Sequence, residues 1–468
     1  MNMLYNITKH LLLFLIAFSL IVAPAPANAS VFGEFTISDE AELGKKVHRL
    51  IRAQLEIIED PEVSEYIKEI ASRLEKAAPP QAFPLNVDVV NHNAVNAFAT
   101  VAGYMVVFSG LILIVDTESE LASVMAHELA HITQRHVARN IERSKLIGIG
   151  SLIGILAGVF IGSDAGSAVA IGSLAGAQSA VLKYSREDER EADQVGMNYL
   201  INAGFNPTAM PSAMQKIRRM QWFSGGDIPS YLSTHPGMDE RIGYLRDRVN
   251  RLDPELLKRT DDNSRLKRVQ TLLRARYVDP STAISHFQEN EHDSCLGQLG
   301  KGIANSRMNR VGDAKQNFEK LIQCDGNDPL FLREAGIFYF QFGDLSMAGK
   351  LLQKAVMLRP RDALAMLYYG RILSEKGDPS TAISYLERTL EIVPEDPRTH
   401  EHLARVYGKN ENNFMAHLHM AYAHIFDNNK RQALFHRQRA RELAINAQMK
   451  NKMERLDEAY QDQAEFWK

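Results

Sequence analysis

At 468 residues the chain exceeds one ordinary domain and has length for two or three, each with its own core. Its formal charge of -3, with 45% hydrophobic and 24% charged residues, excludes wholesale disorder and leaves no electrostatic footprint for nucleic acid. The two cysteines, Cys295 and Cys324, suffice for one bridge in an oxidising compartment.

The chain begins with a pattern of export. Lys9 and His10 precede an apolar run from Leu11 to Val22, and Ala27-Asn28-Ala29 supplies a small-x-small cleavage site before Ser30. The run is short for a membrane span, and no cysteine follows the site to carry a lipid. Residues 1–29 are therefore expected to be a cleaved signal peptide, and the remainder to be soluble and exported, into the periplasm if the source is a Gram-negative bacterium.

A charged helix is expected from Ser38, with Leu43, Val47, Leu50, Ile51 and Leu55 at helical spacing. Asp60-Pro61 breaks it, and a second packing helix runs from Glu62 to Lys76 before Ala77-Ala78-Pro79-Pro80. Leu85–Val90 and Tyr104–Phe108 read as strands, with Val95-Asn96-Ala97-Phe98-Ala99 between them. One of these could offer an edge to an extended peptide; an interior strand of a small sheet fits the residues equally.

Val124 to Ile132 contains His127-Glu128-Leu129-Ala130-His131, the HExxH pattern. Two histidines four apart share one helix face and can grip one metal ion, and the glutamate beside the first is placed to serve as a base toward water at that ion. Thr117 with Glu120 three residues on predicts a capping box at the helix start. Two satisfied histidines on a buried helix would give the same four letters, so a third ligand is needed. His136, five residues past His131, is expected to point elsewhere on the helix in a structural role.

Leu146 to Ala180 is rich in glycine, alanine and aliphatic residues around Asp164, each half too short to span a membrane. A lid over the site, a pair of buried helices, or a segment touching lipid all fit it. A further helix then opens at Ser185, its N-cap, and stops at Gly204. Within it Glu189 and Asp193 share a face, which suits Glu189 as the third zinc ligand and Asp193 as the group that orients a ligating histidine. Glu187 and Glu191 are alternatives within an acidic run that solvation alone could explain. His235, in Ser233-Thr234-His235-Pro236, could stabilise an oxyanion, occupy the open zinc position in a resting state, or cap the following helix.

Taken in order, HExxH, a glycine-rich segment, Ser-Arg-x-x-Glu-x-x-Ala-Asp and Ser-Thr-His-Pro with a following arginine resemble the gluzincin peptidases of the HtpX and CAAX prenyl protease type. Val95 to Ala99 is similar to their substrate-edge motif, and the likeness covers about Ser38 to Arg248. It implies an α+β zincin-like domain with a small sheet and one zinc ion held by His127, His131 and Glu189. It further implies Glu128 as acid and base, Asp193 as the support of a ligand, and His235 and Arg241 at the rim. Val101-Ala102-Gly103 departs from a Pro-Gly-Gly turn common in that family.

The carboxy-terminal half repeats. Ala314, Ala348 and Ala382 are spaced by 34, as are Phe318, Leu352 and Leu386, and Gly302, Gly336 and Gly370. That period, with small residues where helices cross, predicts an all-α solenoid of tetratricopeptide repeats. Ala404, Tyr407, Ala416, Met420 and Ala423 continue a weaker fourth unit, and a degenerate one is expected before Cys295. In this register Cys295 begins one helix of a hairpin and Cys324 ends the other, so a disulfide is expected, worth about 3.5 kcal/mol on the chain-entropy estimate.

The expected organisation is a peptidase domain over residues 30–255 and a repeat domain over 256–468. Signal, peptidase and repeats together resemble the periplasmic chaperone-proteases of outer-membrane protein assembly. The resemblance implies misassembled β-barrel proteins as substrates and the β-barrel assembly machinery as partner. A repeat scaffold or holdase chaperone with a latent peptidase domain is the alternative.

Overall fold

A computed structural model of the chain describes residues 35–144, 184–223, 230–291, 293–464 and 467. The expected signal peptide and the glycine-rich segment Leu146 to Ala180 lie outside them. Helix α1 (Ile37–Gln54) starts at a capping box between Thr36 and Asp39 and buries Leu43, Val47 and Ile51. Helix α2 (Pro61–Ala77) starts on Asp60, whose carboxylate accepts the Glu62 N–H at 2.9 Å, with proline where its missing N–H costs nothing. The pair Asp60-Pro61 thus founds α2 but does not end α1, which stops at Gln54 with Leu55 already extended.

Strands β1 (Asn86–Val90), β2 (Ala97–Ala99) and β3 (Tyr104–Phe108) form a sheet in the order β1-β3-β2, with β1 parallel and β2 antiparallel to the central strand. β2 is therefore an edge. Asn96 and Thr100 pair with Phe108 and Tyr104, so alternation directs the main-chain groups of Ala97 and Ala99 away from β3. The departure at Val101-Ala102-Gly103 is a tight turn between β2 and β3, with φ of 60° at Ala102 and 79° at Gly103, both in the left-handed region. Glycine at 44 lets α1 approach it, since a Cβ there would stand 2.4 Å from that of Ala102.

After α3 (Ser109–Ile114) comes the metal-motif helix α4 (Glu118–Thr133). Only half of its predicted capping box forms. Thr117 accepts the Glu120 N–H at 3.2 Å, but the Glu120 side chain reaches one residue further back, to the Asp116 N–H at 2.7 Å, because Ser212 and Lys216 also hold it. Helices α5 (His136–Ser144), α6 (Arg186–Asn202), α7 (Ala209–Phe223), α8 (Ser230–Thr234), α9 (Met238–Val249) and α10 (Pro254–Leu257) follow. α6 starts on a Ser185–Asp188 capping box, and Gly204, at φ 88°, follows its end.

Six helical hairpins complete the chain: α11 (Ser264–Tyr277) with α12 (Pro280–Asn290), α13 (Cys295–Arg307) with α14 (Val311–Cys324), α15 (Pro329–Gln341) with α16 (Leu345–Leu358), α17 (Ala363–Glu375) with α18 (Pro379–Ile392), α19 (Pro397–Lys409) with α20 (Asn413–Phe426), and α21 (Lys430–Leu443) with α22 (Ala447–Ala464). Asp328, Asp362 and Asp396 cap the first helices of three successive units. The repeating glycines face the repeating large residues: a Cβ on Gly336 would meet Leu352 at 2.6 Å, and one on Gly302 or Gly370 would meet Phe318 or Leu386 at 3.1 Å. The period therefore records a close helix crossing within each hairpin. Cys295 and Cys324 are bridged, with Cα atoms 5.9 Å apart, and tie α13 to α14.

Charge joins the repeats to α2. Arg333, fully buried, bonds Asp60 at 2.9 Å, Asp362 at 3.0 Å and Glu334 at 2.9 Å. Around it Arg268 links Glu62 to Asp328, Arg276 bonds Glu334, and Arg359 reaches Glu62 and Glu65. Burial alone would raise the Asp60 carboxyl, but Arg333 and Arg276 beside it hold it below the ordinary carboxylate range.

Candidate metal centre

Close approach of two helices builds the site. At Gly196 the backbone of α6 lies against that of α4, where a Cβ would stand 2.9 Å from the Ala126 carbonyl oxygen, and this sets Glu189 and Asp193 opposite His127 and His131. The short α8 delivers His235, whose ring stacks on Tyr231 at 4.2 Å, and α9 delivers Arg241. His127, Glu128, His131, Glu189, Asp193, His235 and Arg241 are all buried.

One donor atom from each of His127, His131, Glu189 and His235 lies within 4.8 Å of the others. His127 Nε2 is 3.0 Å from His131 Nε2 and 3.4 Å from His235 Nδ1, and each of the first two is 3.5 Å from a Glu189 oxygen. Two imidazoles and a carboxylate are the donor set that zinc takes in catalytic sites, and His235 brings a fourth. The centre also holds buried polar atoms without a hydrogen-bond partner. Glu128 Oε1 and His235 Nε2, 3.6 Å apart, are such a pair. Loose polar ends amid converging donors fit a site whose ligands answer to an ion.

Around the donors stand groups that aim them. Asp193 Oδ1 accepts from His127 Nδ1 at 2.9 Å, leaving Nε2 to face the centre. Arg241 bonds both Asp193 oxygens, at 2.7 and 2.8 Å, and also pairs with Glu189, while the Tyr244 hydroxyl donates to Asp193. Tyr184 stacks on His131 at 3.8 Å. Glu128 Oε2 accepts the Ala99 N–H from the edge of β2 at 3.1 Å, so the carboxylate lies between the edge strand and the donors.

Burial pushes the Glu128 carboxyl up. Burial would raise Glu189 too, but Arg241, His235 and the bonds from both motif histidines hold it well below the ordinary range. Burial and Arg241 oppose protonation of His127, yet the bonds to Asp193 and Glu189 push its imidazole up to about 9, whereas burial drives His131 well below its usual value.

Of the three glutamates in the acidic run, Glu189 alone faces the histidine pair. Glu187 is exposed, and Glu191 bonds His136 and Arg139. His136 differs from expectation. It lies on α5, not on a continuation of α4, because Arg135 at φ 52° turns the chain and brings His136 back against His131. The signal available in the sequence was indirect: Thr133-Gln134-Arg135 interrupts the apolar spacing of the motif helix. Tyr231 and Tyr184, which wall the site with aromatic rings, carried no sequence signal.

Residues 58–249 match the peptidase family M48, and residues 339–406 match a tetratricopeptide repeat family. A relative from Yersinia pestis named beta-barrel assembly-enhancing protease is 29% identical over 81% of this chain and 79% of its own. One of the same name from Escherichia coli K12 is 28% identical over 82% of both chains. The mitochondrial metalloendopeptidase OMA1 of Arabidopsis thaliana is 35% identical over 34% of this chain and 30% of its own. The chain thus carries a metallopeptidase domain of family M48 with tetratricopeptide repeats behind it.

Proposed function

We propose that the protein is an exported zinc endopeptidase with chaperone-like activity, acting in the periplasm on outer-membrane β-barrel proteins during assembly, and that His235 keeps it latent. The peptidase unit is residues 30–255 and the repeat unit 256–468, the latter meeting the β-barrel assembly machinery. The observation that carries this reading is the convergence of four donors, His127, His131, Glu189 and His235, beside a buried glutamate and an edge strand. The names of the relatives support the substrate class. No helix among the described residues is long and apolar enough to cross a membrane.

Zinc held by His127, His131 and Glu189 would supply Lewis acidity toward water and the scissile carbonyl. Glu128 accepts the proton of the attacking water and returns it to the leaving amine, a task suited by the upward push that burial gives its carboxyl. The edge at Ala97 and Ala99 pairs with an extended substrate beside that carboxylate. With His235 as fourth donor a zinc ion would have no position left for water, so hydrolysis would require His235 to move away, which would free it to serve the oxyanion.

Digestion of an unfolded outer-membrane barrel by the full chain tests both parts. Glu128→Gln is expected to retain zinc while hydrolysis falls about 10²–10⁴-fold, chelation to abolish hydrolysis, and His235→Ala to raise it. Absence of turnover in both the wild type and His235→Ala would sink the enzymatic reading in favour of a holdase scaffold, undiminished turnover in Glu128→Gln would remove the role of Glu128, and lower turnover by His235→Ala would remove latency.

A further inference from the structure

The two motif histidines are supported differently. His127 is held directly by the Asp193 carboxylate, at 2.9 Å. His131 Nδ1 instead lies 2.7 Å from Nδ1 of His136, a second imidazole that is 0% exposed. The other nitrogen of His136 lies 3.0 Å from Glu191 Oε2 and 3.8 Å from Asp188 Oδ1. Arg139, on the same short helix, reaches Glu191 at 2.9 Å and Asp188 at 3.5 Å and holds both carboxylates in place.

Hydrogen-bond roles follow from this geometry. Ionised carboxylates only accept, so the Nε2 of His136 carries its proton and its Nδ1 offers a lone pair. His131 must then donate from Nδ1, which leaves its Nε2 with a bare lone pair. That Nε2 is the atom 3.0 Å from His127 Nε2 and 3.5 Å from Glu189.

We infer that His136 is a positioning residue for zinc: it fixes the tautomer and ring orientation of His131 and relays to it the negative charge of Glu191. The inference rests on the proposed role of His131 as a ligand. It assigns His136 a part in metal binding that sequence position alone does not suggest, since the residue lies outside HExxH. It also extends the metal's support to the surface, because the Glu191 side chain is 40% exposed. Groups of this kind around a ligating histidine set metal affinity by 10–100-fold.

Zinc affinity of the full-length protein, measured by competition with a chromogenic chelator, provides the test. His136→Leu fills the space but accepts no bond, and is expected to weaken zinc binding about 10–100-fold. His136→Asn offers an amide oxygen to His131 Nδ1–H and is expected to recover most of that loss. Glu191→Gln, which touches no ligand, is expected to weaken binding by less than the leucine variant. Wild-type affinity in His136→Leu, or equal loss in the leucine and asparagine variants, overturns the inference. If the leucine variant does not fold, unchanged affinity in Glu191→Gln overturns it. His131→Ala serves as the separate control: tight zinc binding by that variant would mean that the ligand assignment itself is wrong.

Discussion

Among the described residues Arg241 and Arg333 are buried among carboxylates, and their surroundings differ in kind. All three guanidinium nitrogens of Arg333 are bonded, and two of its partners, Asp60 and Asp362, also cap the helices α2 and α17. That cluster joins the peptidase unit to the repeats, and around the satisfied Arg333 it leaves Arg276 Nε without a partner. Arg241 faces Asp193 and Glu189, which face His127 and His131 in turn, and the chain of contacts stops at Glu128 and His235 atoms with no partner. Buried charge and a loose nitrogen are common to both; imidazole and carboxylate donors converging on one point distinguish the site.

Removing each arginine should separate the two cases. Arg333→Met leaves Asp362 without its cation and Asp60 and Glu334 with Arg276 alone, and is expected to cost about 3–5 kcal/mol in urea unfolding while zinc affinity holds. A loss below about 1 kcal/mol would place this pair with weak surface bridges. Arg241→Met is expected to cost less in the zinc-loaded protein, because the ion compensates Glu189, and to appear instead as a 10–100-fold loss of zinc affinity, about 1.4–2.7 kcal/mol. Unchanged affinity would make Arg241 a structural residue like Arg333.

The smallest effect expected is that of pH. Burial would raise Asp60, Glu62 and Asp328, but the arginines beside them hold all three below their ordinary values. Carboxyls with depressed values stabilise the fold above their unfolded pKa, about 4, and that contribution is lost as pH falls through the lower folded values. Thermal unfolding should therefore hold steady down to about pH 5 and decline below about pH 4, with a shallower decline in Arg333→Met. Identical slopes in the two proteins would mean that the ion pairs at the joint add no stability.

What could be read from the sequence follows the range of the forces involved. The metal pair, the cap at Ser185, the central strand and the repeat period are local patterns, and the crossings of Gly302, Gly336 and Gly370 repeat one local pattern. The gathering of Glu189 and Asp193 was legible because helical spacing placed both on one face. The bond between His131 and His136 was not, since it depends on a left-handed residue, Arg135, whose conformation no side-chain pattern announces. Nor was the joint: Asp60 and Arg333 are 273 residues apart, and nothing local to either marks the other. The sixth hairpin, α21 with α22, lacks the strong period because its helices bury few residues, Ala433 and Ala440 on one and Met453, Leu456 and Tyr460 on the other.

The composition of the buried centre has a consequence for how the molecule is finished. Glu128, Glu189 and Asp193 set three carboxylates against the single guanidinium of Arg241 and the His127 imidazole, pushed up to about 9, so the ion-free centre keeps an excess of negative charge. A dication that displaced the His127 proton would bring it to electroneutrality. Such an excess within a shielded interior would oppose its own closure, so loading a dication would contribute to folding. Maturation of the chain would then depend on the supply of such a dication in its surroundings.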